Sequence, residues 1–132
     1  MNRKKNPTPQ PSHQTPPKPK ISHSILQVAG EFIRLGDTLE DRQNRLTAAC
    51  SAWNMACNTP ELREKHLVQY VRGFGKVNAD ADADDLANVR KDMETLIARK
   101  LKMFPNDLRQ VIGAKIISER GKERVEAVAA TL

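Results

Sequence analysis

Residues 38–57, TLEDRQNRLTAACSAWNMAC, decide the fold. Leu39, Leu46, Ala49, Cys50, Trp53, Ala56 and Cys57 recur at three-, four- and seven-residue spacing, which places them on one face of a helix. Residues 48–52 are only Ala, Cys and Ser, so neighbouring helices can approach from more than one side. A helix apolar around most of its girth is normally buried. This one is therefore expected at the centre of the core, with Trp53, the only tryptophan, as a packing centre whose indole N–H needs an acceptor.

Upstream, residues 24–35 predict a helix that buries Ile25, Ala29, Phe32 and Ile33. Ser24 with Gln27 reads as its capping box, and Gly36 stands where a left-handed C-cap belongs. Asp37 with Glu40 repeats the box and opens the central helix. So short a turn implies an antiparallel or angled helix pair.

Downstream, Thr59-Pro60 pairs a cap residue with proline at the first helical position. Leu67, Tyr70, Val71 and Phe74 form the apolar stripe of this third helix, Arg63, Glu64 and Lys65 face solvent, and Gly73 and Gly75 mark its end. Residues 76–83 read as a loop. A fourth helix over 84–103 aligns Leu86, Val89, Met93, Leu96, Ile97, Leu101 and Phe104, with Pro105 as its stop. Asp84 and Asp85 at its start, and Arg99, Lys100 and Lys102 in its last turns, suit the helix dipole.

Beyond residue 108 the period changes. Residues 111–117 and 123–129 alternate Val, Ile and Ala with polar positions around Glu119-Arg120-Gly121-Lys122, which predicts a β-hairpin at about residues 111–130. Ile112, Ala114 and Ile116 would share one side of the first strand, and Val125, Ala127 and Ala129 one side of the second. The alternative is a fifth helix, disfavoured by Gly113 and Gly121. The expected fold is mainly α: a compact bundle of about four helices with a C-terminal hairpin, in one domain over residues 21–132.

Residues 1–20 form a different kind of sequence. They hold six of the eight prolines and five basic side chains, Arg3, Lys4, Lys5, Lys18 and Lys20, without one acid. Such a segment has too little apolar surface to offset its ordering entropy, so a disordered basic tail is expected. Residues 21–132 carry 17 basic and 16 acidic side chains, so the basic character belongs mostly to the tail. The tail contains no apolar h-region of a signal peptide, and nowhere does the chain approach the ~20 apolar residues of a membrane span. Cys50 and Cys57 lie about 10 Å apart along the helix axis, too far for a disulfide, and suit a reducing compartment. A cytoplasmic bacterial protein without membrane contact is the expectation.

No catalytic constellation emerges. Counting from Asp80, a calcium loop would need glycine at Asp85 and glutamate at Lys91, and has neither. Gly73-Phe74-Gly75-Lys76 lacks the frame of a phosphate loop. Two cysteines and His66 fall short of a zinc site, and nothing in the sequence brings His66 to either thiol as a base. The expectation is a chain that is not an enzyme, has no cofactor or metal, and takes no small-molecule substrate. The leading functional reading is a non-catalytic accessory or adaptor subunit that docks on a larger protein or nucleoprotein assembly. The alternative is a small nucleic-acid-binding protein that uses Arg3, Lys4, Lys5, Lys18 and Lys20 of the tail with Lys91, Arg99 and Lys102 of the fourth helix and Arg109 and Lys115 beyond it. The same ten positions suit an acidic protein partner.

Overall fold

The computed structural model describes residues 19–130; readings on residues 1–18 lie outside the described residues. Four helices, α1 (Ile21–Arg34), α2 (Leu39–Ala56), α3 (Pro60–Val77) and α4 (Ala83–Met103), precede an antiparallel hairpin of β1 (Gln110–Glu119) and β2 (Lys122–Ala130). The predicted mainly α bundle with a C-terminal hairpin is the observed fold, and the fifth-helix alternative is not.

Helix α2 is central: it packs on α1, α3, α4 and β1. Leu46, Ala49, Cys50, Ala52, Trp53, Met55 and Ala56 are all buried along it, whereas Leu39 at its exposed start is not. The Trp53 indole donates to the Arg109 carbonyl at 2.8 Å, and its ring lies tilted against Phe104 at 5.8 Å between centroids. The acceptor that a buried tryptophan requires is thus a backbone group just before the hairpin.

Several helix boundaries differ from the sequence reading. Helix α1 begins three residues early, at Ile21, because Ile21 extends the apolar face formed by Ile25, Val28, Ala29 and Ile33. Ser24 is therefore not a cap; it is fully buried in the first turns, with its hydroxyl unpartnered among the described residues. Thr38, not Asp37, caps α2, accepting from the Asp41 N–H at 3.0 Å. Gly36 has no positive φ, which among the described glycines belongs to Gly121 alone. Its role is close approach, since a Cβ there would lie 2.8 Å from the Arg42 backbone nitrogen.

Helix α3 runs through Gly73 and Gly75 to Val77, and Asn78 closes it with a side-chain bond to the Phe74 carbonyl at 3.0 Å. Arg63 does not simply face solvent. It reaches back to the Met55, Ala56 and Asn58 carbonyls and so satisfies the end of α2. Helix α4 opens with a reciprocal box between Asp82 and Asp85, which accounts for the acids there. Its stripe buries Met93, Leu96 and Ile97, and also Lys100, whose ammonium donates to the Asp107 carbonyl at 2.6 Å and stands 5.0 Å from the centre of the Trp53 ring.

Candidate functional site

The hairpin carries the candidate site. Its two-residue turn has Arg120 at φ 53° and Gly121 at φ 76°, the double left-handed geometry whose twist matches the flanking strands. Sequence parity placed Ile112 beside Ala114 and Ile116; the structure corrects this. The register shifts between Val111 and Gly113, so Ile112 is an extra residue and Val111 takes the inward position opposite Ala129. Val111 is buried, while Ile112 is 67% exposed. Inward with Val111 lie Ala114, Ile116, Val125, Ala127 and Ala129, all packed on the helical core.

The two outer edges of this hairpin are treated differently. Along β1, two amide side chains of α2 take the place of a neighbouring strand. Asn54 accepts from the Val111 N–H at 2.7 Å and donates to its carbonyl at 2.9 Å. Gln43 accepts from the Ile116 N–H at 2.8 Å and donates to the Ala114 carbonyl at 3.2 Å. Their separation of eleven positions is close to three helical turns, so both project along one line of α2.

Along β2 there is no such cover. Because Glu119 and Lys122 flank a two-residue turn as a bonded pair, Arg124, Glu126 and Val128 bond to β1, and the peptide groups of Glu123, Val125, Ala127 and Ala129 point outward. Among the described residues no strand, side chain or other backbone group pairs with that outer edge. Helix α1 lies against β2. Near the turn, the Glu123 carboxylate takes a two-pronged bond from Arg42 of α2, at 2.8 and 2.6 Å, and Arg42 holds it below its usual carboxylate range. Arg124 pairs with Glu119 and Glu126 on the outward face. At the open end Leu108, Ile112 and Val128 are exposed apolar side chains.

The basic positions singled out from sequence are scattered. Arg3, Lys4, Lys5 and Lys18 lie outside the described residues, and Lys20 is exposed before α1. Arg109 is clamped by Asp107 at 2.9 and 2.6 Å, and the Arg99 guanidinium donates to the Val28 and Gln27 carbonyls of α1. Lys91 and Lys102 are exposed on one line of α4, about 16 Å apart. Lys115 lies on the hairpin opposite Glu126.

The thiols are not activated. Burial pushes Cys50 up to about 11, and burial is also the largest influence raising Cys57, against the lowering effect of Lys100. His66 meets Asn58 at 3.3 Å. Among the described residues no group of three His, Cys, Asp or Glu side chains is placed to hold a metal ion, and no helix is long and apolar enough to cross a membrane.

A second concave feature lies between the C-terminal end of α1, the first half of α2, the second half of α3 and the middle of α4. It is a cleft of about 660 Å³, lined by Phe32, Tyr70, Phe74, Val89 and Met93 and edged by Asp37, Asp41 and Asp92. Burial raises the Tyr70 phenol above its ordinary value. Sequence reasoning missed Gln43, Asn54 and this cleft. The eleven-residue spacing of two amides on the central helix was a signal for the first two; the cleft is lined by residues of all four helices, which no local pattern encodes.

No protein-family model matches the chain, and neither the curated proteins nor the solved structures give a match.

Proposed function

We propose that the chain is a non-catalytic adaptor or accessory subunit that docks on a larger protein by accepting an extended segment of it along the outer edge of β2. One contrast carries this reading: α2 covers the β1 edge with two bidentate amides, whereas the β2 edge keeps its peptide groups unpaired among the described residues. Exposed edges are commonly protected by proline, inward charge or a bulge. Strand β2 has nine residues, no proline and no register shift of its own, and its single inward charge, Glu123, sits beside the turn and is paired with Arg42. An added strand gains main-chain hydrogen bonds from the edge, and alternate side chains set its specificity. The fitting occupant has apolar residues on the side that extends over α1 and charged residues matching Arg124 and Glu126 on the other. Leu108, Ile112 and Val128 offer it further apolar contact.

Nucleic-acid binding is the less supported reading, because Arg99 and Arg109 already have protein partners.

The test is affinity capture from host extract with wild type and Ala127→Pro, followed by hydrogen exchange on the recovered complex. The Ala127 N–H faces the open edge, so proline there removes no bond to β1. Loss of the partner with the variant, and protection of the Val125, Ala127 and Ala129 amides in the wild-type complex, is the expected result. A partner that binds the folded variant equally, and leaves those amides exchanging, defeats the proposal.

A further inference from the structure

We propose that the cleft lined by Phe32, Tyr70 and Phe74 is the docking site of the chain's own basic, proline-rich segment, residues 3–18, in cis. The reading is independent of strand addition at β2. Charge is locally unbalanced around the cleft. A smaller hollow lined by Asp80 and Asp85 shares Phe74, Asn78 and Val89 with the main cleft, so the two form one groove. Asp37, Asp41, Asp80, Asp85 and Asp92 border it, with Arg45 as the one basic side chain in its lining among the described residues. Arg45 is already engaged, donating to the Phe32 carbonyl at 3.0 Å and standing 4.7 Å from the centre of the Phe32 ring. Residues 21–132 are nearly balanced as a whole, so these acids are concentrated in one place. The complementary charge is equally concentrated: residues 3–18 carry Arg3, Lys4, Lys5 and Lys18 and no acid.

The floor of the groove matches the rest of that segment. Tyr70 and Phe74 are half-buried aromatics. Proline-rich chains in the extended left-handed conformation dock on aromatic-lined grooves at low entropic cost. Residues 7–17 contain five prolines, which lack the N–H that strand pairing needs, so this segment suits the aromatic groove and not the β2 edge. Reach is sufficient. The groove lies at the C-terminal end of α1, whose 14 residues span about 21 Å, while residues 3–18 extended as polyproline II cover roughly 47 Å.

The test is amide NMR of the full chain, comparing wild type with the tail reversal Lys4→Glu/Lys5→Glu/Lys18→Glu, each between about 0.02 M and about 0.5 M salt, where the screening length falls from on the order of 20 Å to 4 Å. The Tyr70, Phe74, Asn78 and Asp92 amides are expected to shift on reversal, and high salt should move wild type toward the reversed spectrum. In Asp37→Lys/Asp92→Lys the same amides should no longer respond to reversal, with unchanged hairpin amides reporting an intact fold. Groove amides identical in wild type and reversal overturn the proposal. So do shifts that vanish on dilution, which would assign the groove to another copy's tail, and shifts centred on the hairpin.

Discussion

Asn54 holds Val111 by both of its peptide groups, accepting from the N–H at 2.7 Å and donating to the carbonyl at 2.9 Å across 57 residues of sequence. This pairing, repeated by Gln43 at Ala114 and Ile116, makes the central helix act as the missing neighbour of β1. Asn54→Leu keeps the volume but strands two backbone groups at a partly buried position, at a cost of about 2–4 kcal/mol. Gln43→Leu should cost less, about 1–2 kcal/mol, because Ala114 and Ile116 are only partly buried whereas Val111 is buried. Urea unfolding of both variants checks the order; equal and negligible losses would refute the role assigned to the amides.

Lys100 is fully buried between the Asp107 carbonyl and the Trp53 ring. Its stem fills core volume as well as delivering a charge. Lys100→Met is expected to cost about 1 kcal/mol and Lys100→Ala about 3 kcal/mol, the difference measuring packing apart from charge. Calorimetric unfolding separates the two. Equal losses would mean that the ammonium, not the stem, sets the stability here.

Gly73 lies inside α3 with nothing within 4 Å of where a Cβ would be. Gly73→Ala should therefore stabilise by about 0.5–1 kcal/mol through helix propensity and a less flexible unfolded chain. Gly121→Ala should destabilise by roughly 1–2 kcal/mol, since its φ of 76° is left-handed. Thermal melts showing the same sign for both would contradict the geometry.

Stability should also respond to acid at the Arg42–Glu123 pair. The hydrogen bond from Arg42 depresses Glu123 below its ordinary value of 4.5, with the nearby guanidinium charge adding to the effect. A carboxylate with a depressed folded pKa contributes stability that is present above its unfolded pKa and lost as pH falls through the folded one. Melting temperature should therefore drop as pH is lowered below about 4.5, and the contribution from this pair should be absent in Arg42→Met. An Arg42→Met protein with an unchanged acid profile would remove the pair from the account.

The fold was legible where periodicity and capping agree. The apolar face around Trp53, the Thr59-Pro60 start of α3 and the alternation after residue 108 led to four helices and a hairpin. What local patterns could not carry was long-range competition. Burial of Ile21 outweighed a capping box at Ser24. Packing carried α3 through two glycines. The shift at Ile112 exchanged which residues of β1 face the core, and only contact with α2 makes Val111 the better inward residue. For the site, alternation implied a hairpin, but which of its edges α2 covers depends on amides more than fifty residues away.

The most direct measurement is amide hydrogen exchange on the free full-length chain, resolved along the hairpin. Slow exchange is expected at Val111 and Ile116, protected by Asn54 and Gln43, and at Arg124, Glu126 and Val128, which bond to β1. Fast exchange is expected at Val125, Ala127 and Ala129 on the outer edge of β2. Slow exchange at these three in the free chain would mean that the edge is already covered, and would contradict docking by strand addition there.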